Sequence, residues 1–290
     1  MRVLRDAGVP ALVAALAAGC AGDAPDAADA EAALARAPEA TAAAENAAVT
    51  LSGTMTIEGL GDRVDFGGEG VVDLDDERSR VDIDMSEMAS FQTPTPGDPD
   101  DWRGTIISTP QGTLMKLPAF NALTPEPGKW IRWTGESLVR EGGTQFSAPD
   151  PVEFLRFVRA LGEDVDVVGT DEVGGVETTH LRGDVALPDL PAAAPEAERR
   201  EAQAYAQRLE AAGLDSIGLD VWLDDEDRIR RLTATYDDIR VASARVDLVA
   251  RMELSDFGGA GEVQIPPSNE IVDIGDVIGR GPEETEHSEG

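Results

Sequence analysis

The chain has 290 residues with 57 acidic and 24 basic side chains, so its formal net charge is −33 at pH 7. A surface this acidic repels phosphate backbones, which argues against nucleic-acid binding. The single cysteine excludes a disulfide within one chain, so the body of the protein must be held by its own core, and its length is sufficient for one.

The N-terminal region has the pattern of an export signal. Arg2 and Arg5 precede a short apolar run from Gly8 to Ala18, and small residues lead directly to Cys20. Because the run is shorter than the roughly 20 residues of a membrane-spanning helix, it predicts a removable signal peptide over residues 1–19. An ordinary secretory signal, in which Cys20 is incidental, is one interpretation of this pattern, and a lipoprotein signal is the other.

The residues around Cys20 resemble a bacterial lipobox. In such signals the cysteine becomes the mature N-terminus and carries acyl chains such as palmitate, each buried methylene adding about 0.8 kcal/mol of membrane affinity. We therefore expect Cys20 to be the lipid attachment site. The protein is expected at the extracytoplasmic face of the cell membrane, which it contacts through this anchor.

Composition divides the rest of the chain into three parts. Residues 20–48 are mostly Ala, Asp, Glu and Pro, which predicts a flexible stalk with marginal helix near Glu31 to Ala37. Residues 281–290 are polar and acidic and are predicted to form a disordered tail. The domain is therefore expected over residues 49–280.

Apolar and polar residues alternate along most of this domain, which is typical of strands with one buried face. Successive runs are separated by acidic or glycine-containing turns, which predicts an antiparallel meander. The predicted strands begin near these residues: Val49, Val64, Val81, Gly104, Thr113, Lys129, Val165, Val176, Ile217, Ile229 and Ala244.

Two helices interrupt the strands. Asp150 and Pro151 provide an N-cap and a first-turn proline, and the apolar residues that follow, at helical spacing, predict a helix that ends at Gly162. A second helix is predicted from Pro195 to Ala212, with Tyr205 and Leu209 as its only large apolar side chains, so we expect it to cover an edge or a cavity mouth.

These elements predict an α+β fold. A sheet of ten or eleven strands that is apolar on one face must curve to bury that face, because two helices are too few to cover all of it. The prediction is a large curved antiparallel sheet, a half-barrel, with helices covering the concave face. The sequence leaves open whether the covered space is filled by side chains.

Several phrases resemble the actinobacterial LppX/LprG lipoprotein family. Gly174 to Asp184 is similar to the family's NGVETxxxxG hairpin, Leu219 to Asp224 to its ATVWI strand, and Arg251 to Gly258 to its closing LSxWG segment, while Asp150-Pro151 fits the start of its DP helix. The resemblance implies a half-barrel like that of the carrier LolA, with a hydrophobic cavity for the acyl chains of a lipid or glycolipid. It carries over no catalytic residue.

The residues themselves give no reason to expect catalysis. Only His180 and His287 are histidines, and alternation assigns His180 to the solvent-facing side of its strand. A zinc site needs several His or Cys ligands, which the chain lacks. We therefore expect no enzymatic activity, no metal and no cofactor.

A lipid cavity would be lined by aromatic and aliphatic side chains, although ordinary core packing explains the same residues. The candidates are Trp130, Trp133, Phe154, Phe157, Val158, Leu161, Trp222, Leu248 and Met252. The proline-rich stretch from Phe91 to Trp102 is either a flap at the entrance or an inert loop. The function expected first is a lipid carrier or chaperone, and the alternative is a sensor or scaffold that contacts protein partners, whose identity the sequence does not give.

Overall fold

The computed structural model describes residues 26–58, 63–91, 97–123, 126–134, 151–161, 165–196, 199–241 and 244–275. These ranges contain one sheet of twelve strands. The strands are β1 Asn46–Ile57, β2 Arg63–Asp73, β3 Arg78–Asp84, β4 Arg103–Thr109, β5 Gly112–Lys116, β6 Trp130–Trp133, β7 Asp166–Val173, β8 Val176–Ala186, β9 Ser216–Leu223, β10 Ile229–Val241, β11 Ala244–Ser255 and β12 Ile271–Asp273.

The sheet consists of two antiparallel meanders joined side by side. Strands β1 to β6 follow one another across one half, β7 to β11 follow one another across the other, and β1 pairs with β11 at the centre. The outermost strands, β7 and β12, do not pair with each other, so the sheet is open. This architecture confirms the predicted α+β fold with a large curved antiparallel sheet.

The predicted alternation sets the register. Leu51 lies opposite Met252, which lies opposite Leu232 on β10, and the same row continues through Val221 on β9 to Leu181 on β8. All five side chains are at most 2% exposed. One apolar row therefore crosses five strands. A one-residue slip of any of these strands would turn its apolar side chains to the other face, so the buried row fixes the register.

Four α-helices lie in the described ranges: α1 Ala27–Ala42, α2 Pro151–Ala160, α3 Leu190–Ala193 and α4 Arg199–Ala211. The predicted helices after Asp150 and Pro195 are confirmed as α2 and α4. Asp150 and Gly162 lie outside the described residues. None of the helices in these ranges combines the length and hydropathy that crossing a bilayer requires.

Helix α1 corrects the predicted stalk. Most of residues 20–48 form α1 and the start of β1, whereas residues 20–25 lie outside the described ranges. Ala30, Leu34 and Ala37 of α1 are at most 3% exposed and belong to the main buried cluster. The prediction was wrong because it counted large apolar residues, whereas alanines favour helix and let it approach its neighbours closely.

Polar contacts fix α1 against the turn between β9 and β10. The buried hydroxyl of Thr41 donates to the carbonyl oxygen of Ala37 at 2.7 Å and accepts from the backbone N–H of Ile229 at 3.0 Å. Arg36 donates from Nε to Asp227 at 2.7 Å. The helix is therefore part of the folded domain.

The sheet has a second, smaller core on the face opposite the helices. Ile107, Leu114, Trp130 and Val263 form this separate cluster. Val263 belongs to the segment after β11, which leads to β12, and β12 pairs in parallel with β6. Strand β12 was not predicted from the sequence, and the predicted tail over residues 281–290 lies outside the described ranges.

The stretch predicted as a flap or loop is partly structured. Ser86–Phe91 and Pro99–Trp102 form 3₁₀ turns, and residues 92–96 lie outside the described ranges. Arg103 connects this stretch to β3, because it donates to Asp84 at 2.8 Å and also forms an ion pair with Asp100.

The contacts of Arg103 predict a pH effect. Hydrogen bonds from Arg103 and then Ser86 lower the pKa of Asp84 from its ordinary value of 3.8 to about 2. Because the pKa of Asp84 is lower in the folded state, the ionised carboxylate stabilises the fold at pH values above its ordinary pKa. This stabilisation is lost as the pH falls through about 2. We expect an NMR titration of the Asp84 carboxyl to give a midpoint near 2 that rises toward 3.8 in Arg103→Gln. An unchanged midpoint in that variant would contradict the assignment.

Candidate ligand-binding site

The helix-covered face of the sheet is filled by side chains where α2 crosses it. Phe154, Phe157 and Val158 of α2, with Leu161 directly after its last residue, form one apolar stripe that we call the α2 stripe, and each is at most 3% exposed. The rings of Phe154 and Phe157 lie 6.1 Å apart between centroids. These residues share one buried cluster with the apolar row of the sheet, so the interior beneath α2 is a packed core.

Six of the nine predicted lining residues belong to this cluster. The four residues of the α2 stripe are joined there by Leu248 and Met252 of β11, which are 7% and 0% exposed. Whether they contact a ligand stays a prediction, because the same packing serves an ordinary core.

The three tryptophans lie elsewhere. Trp130 is in the small core on the opposite face, with Ile107 and Leu114. Trp222 also lies on that face, because it alternates with the core residues Val221 and Leu223. The prediction placed the tryptophans in the cavity because they are large and aromatic. The alternation of side chains along β6 and β9 would have assigned Trp130 and Trp222 to the opposite face of the sheet.

Trp133 is half buried at the end of β6 and forms an edge contact with Phe120, with ring centroids 6.1 Å apart. Phe120 packs against a separate buried group around Ile83, Ile106 and Leu117. Trp133 is therefore not brought to the α2 stripe by any contact among the described residues.

The opposite face carries a stacked pair next to a carboxylate. The rings of His180 and Trp222 lie 4.1 Å apart and nearly parallel, and His180 Nε2 is 2.6 Å from Asp220 Oδ1. Arg182 donates to the same oxygen, and Asp171 accepts from Trp222 Nε1 at 3.3 Å. Each polar group thus has a partner, as in a surface network that orders neighbouring strands.

An opening into the helical layer lies between α2, α3 and α4. Its cavity volume is about 50 Å³. The aromatic rings of Phe157 and Tyr205 lie 5.9 Å apart between centroids and form one wall. The lining consists of Arg156, Phe157, Arg159, Leu190, Ala193, Ala194, Pro195, Ala202, Tyr205 and Arg208. We call this opening the arginine pocket.

The arginine pocket combines an apolar wall with three guanidinium groups. Arg208 stacks on Tyr205, with its guanidinium carbon 5.4 Å from the ring centroid. Arg156 lies 3.5 Å from the carboxylate of Glu77, and Arg159 is exposed. Sequence analysis predicted Phe157 as a lining residue but none of the arginines. The only signal for them was the helical spacing that separates Arg156 and Arg159 from the apolar stripe.

A wider cleft lies where α1 meets β8 and the turn after β9, with a cavity volume of about 320 Å³. Three aspartates of that turn, Asp224, Asp225 and Asp227, lie along it. Asp224, Asp225 and Glu226 are close enough to form a group of potential metal ligands. The carboxylate of Asp224 is already engaged by Arg228 and Arg230, however, which fits a structural role better than an ion site.

Comparisons with known proteins give weak likenesses. No family model matches the chain. An uncharacterized 31.2 kDa protein from Streptomyces griseus is 25% identical over 159 residues, which cover 52% of this chain and 50% of that protein. The chain thus spans about half the length of the curated relative it matches.

Among solved structures, lipoprotein LppX from Mycobacterium tuberculosis is similar with a TM-score of 0.45 and 11% identity, covering 81% of this chain and 97% of that one. LprF from Mycobacterium bovis gives a TM-score of 0.39 and 14% identity, covering 84% and 98%. A LolA superfamily protein from Nitrosomonas europaea gives 0.29 and 9% over 82% and 95%. The fold of this chain is established by its own strand pairing.

Proposed function

We propose that the protein is a lipid-anchored extracytoplasmic lipoprotein that binds the acyl chains of a lipid or glycolipid, as a carrier or chaperone, without converting them chemically. The observation that carries this proposal is the arginine pocket. Its aromatic wall includes Phe157, which also belongs to the buried cluster beneath α2. The pocket therefore borders the apolar interior, where an alkyl chain that entered would be favourably placed.

Binding a whole acyl chain requires the pocket to enlarge. Its volume of about 50 Å³ is far below the roughly 300 Å³ at which ligand cavities usually begin. Helix α4 is the element best suited to move, because Ala206 is the one fully buried residue among its described side chains and Tyr205 and Leu209 are half buried. Elements with few buried apolar contacts open at the lowest free-energy cost.

The anchor is part of the same proposal. Cys20 precedes Asp26, the N-cap of α1, by six residues, which span at most about 20 Å when extended. Because α1 is docked in the domain, lipidation of Cys20 would hold the folded body close to the membrane. An acyl chain leaving the bilayer would then have a short distance to travel.

A second function is favoured by the packed interior. The apolar row of the sheet and the α2 stripe already fill the helix-covered face. A sensor or scaffold that contacts protein partners needs no cavity at that place. The two functions differ in one measurable property, the uptake of an alkyl chain.

Blocking the pocket is expected to prevent uptake. Ala202 lines the pocket and is half buried, so Ala202→Trp would place an indole in the opening without cutting into the core. We expect equilibrium dialysis with radiolabelled palmitate to show binding to the wild-type full chain and at least about tenfold weaker binding to this variant, the loss expected when an alkyl segment is excluded.

Ala204→Trp is the matched control, since Ala204 is exposed on the same helix and does not line the pocket. It is expected to bind palmitate as the wild type does. Equal uptake by both variants would count against the pocket as the entrance. Absence of uptake by the wild type would favour the scaffold.

A further inference from the structure

The charges that line the arginine pocket differ in sign from those of the rest of the molecule. The chain has 57 acidic residues against 24 basic ones, yet the lining contains three arginines and no acidic residue. The remaining lining residues are apolar or aromatic. The pocket is thus a small cationic, amphipathic site on a strongly anionic protein.

Arg208 carries the main argument. Its Nε atom is buried and has no hydrogen-bond partner among the described residues. A buried N–H without a hydrogen-bond partner destabilises the fold, and the cost is larger when the group is charged. The contact with Tyr205 holds the guanidinium plane in place. The movement of α4 that enlarges the pocket would give a ligand oxygen access to this N–H and relieve the cost.

From this geometry we infer that the arginine pocket selects ligands in which a carboxylate or phosphate group is joined to an acyl chain. This inference rests on the proposed function and narrows it to anionic lipids. The anionic group would accept hydrogen bonds from Arg208 and Arg159, while the chain follows the wall formed by Phe157 and Leu190. Hydrogen bonds between a guanidinium and such an anion are about twice as strong as neutral ones.

The same charges exclude other ligand classes. A neutral head group would offer Arg208 Nε only an uncharged hydrogen-bond acceptor, so the hydrogen bond would contribute less binding free energy than one to an anion. A polyanion such as a nucleic acid is repelled by the net charge of −33. A single anionic group that enters the pocket meets Arg159 and Arg208 locally, so it is the species that this arrangement accommodates.

The test compares two probes with the same chain. The full-length protein is titrated with cis-parinaric acid and with its methyl ester, whose fluorescence reports entry into an apolar site. We expect the acid to bind at least about tenfold more tightly than the ester, corresponding to one charge-assisted hydrogen bond. In Arg208→Gln the affinity for the acid is expected to fall toward that of the ester, while the affinity for the ester is unchanged.

Three further variants separate charge from folding. Arg208→Lys keeps the charge but lacks the Nε–H donor and the planar group stacked on Tyr205, so its preference for the acid is expected to lie between those of the wild type and Arg208→Gln. Arg159→Gln removes an exposed charge at the rim, so it weakens binding of the acid without endangering the core. Arg251→Gln, exposed on β11 and remote from the pocket lining, is the control expected to behave as the wild type.

The outcomes distinguish this inference from the proposed function. Equal wild-type affinity for acid and ester, or equal weakening of both probes in Arg208→Gln, would overturn the anionic selectivity while acyl-chain binding stands. Failure of either probe to bind would overturn both. Inorganic phosphate is the third probe, and we expect it not to displace cis-parinaric acid at equal concentration. Displacement would identify the pocket as a site for free anions and would overturn the inference that it binds the head group of a lipid.

Discussion

Replacing Ala37 with aspartate is expected to lower the free energy of unfolding by more than about 4 kcal/mol. Ala37 is 0% exposed within the main buried cluster, at the place where α1 meets the sheet and α2. A carboxylate there would be buried without a partner, which is among the most costly single substitutions. Urea unfolding followed by circular dichroism measures the change.

Ala35→Asp is the matched control for this prediction. Ala35 lies two residues earlier on the same helix and is exposed, so the same substitution there is expected to cost no more than about 1 kcal/mol, the order of the difference in helix propensity between Ala and Asp. The pair therefore separates docking of α1 from its helix propensity. Equal, small effects of both substitutions would mean that α1 is not part of the folded domain.

Replacing Asp224 with alanine is expected to destabilise the protein by about 3–5 kcal/mol. Its side chain is fully buried, and one carboxylate oxygen accepts from the backbone N–H groups of Glu226 and Arg228. The other oxygen accepts from the Nε atoms of Arg228 and Arg230, at 3.0 and 2.7 Å. Removing the carboxylate leaves two largely buried guanidinium groups without their shared partner.

The exposed neighbour Asp225 is the control, and Asp225→Ala is expected to change stability by less than about 0.5 kcal/mol. The pH dependence of Asp224→Ala gives a second readout. Burial raises the pKa of Asp224, but hydrogen bonds from the backbone of Arg228 and from the side chains of Arg230 and Arg228 outweigh it and hold the pKa below its ordinary value.

The lowered pKa of Asp224 determines the sign of that pH dependence. Its stabilising effect is present above the ordinary aspartate pKa and is lost as the pH falls through the lowered value. The stability difference between wild type and Asp224→Ala is therefore expected to narrow in acid. A difference that stays constant or grows in acid would contradict the ion-pair network as its source.

Strands were the easiest part of this fold to predict, because each long strand has one buried and one wet face. The alternation of Val246, Leu248, Ala250, Met252 and Leu254 identifies the buried face of β11 without further information. Strand β12 was not predicted, and α1 was predicted only as marginal helix near Glu31 to Ala37 within a flexible stalk, for different reasons. The buried face of α1 contains two alanines and only one large apolar side chain, Leu34, so it carries little hydrophobic signal, whereas β12 has only three residues and depends on pairing with β6.

The candidate site was predicted only in part. Helical spacing identified Phe157 and its neighbours as one apolar stripe, but no periodicity reveals whether the space facing that stripe is open. The arginine pocket depends on α2, α3 and α4 meeting in three dimensions, so Arg208 and Arg159 could not be joined by spacing along the chain. Tertiary packing alone supplies that information.

The most direct test of lipid binding is to weigh the full-length protein, purified from the membrane of an expressing bacterium, by mass spectrometry under native and denaturing conditions. The denatured mass contains any covalent anchor at Cys20, so the difference between the two masses reports ligand held without a covalent bond. The proposed function predicts a difference equal to one lipid in the wild type and in Ala204→Trp, and its loss in Ala202→Trp. Identical native and denatured masses for the wild type would contradict the binding of an acyl ligand.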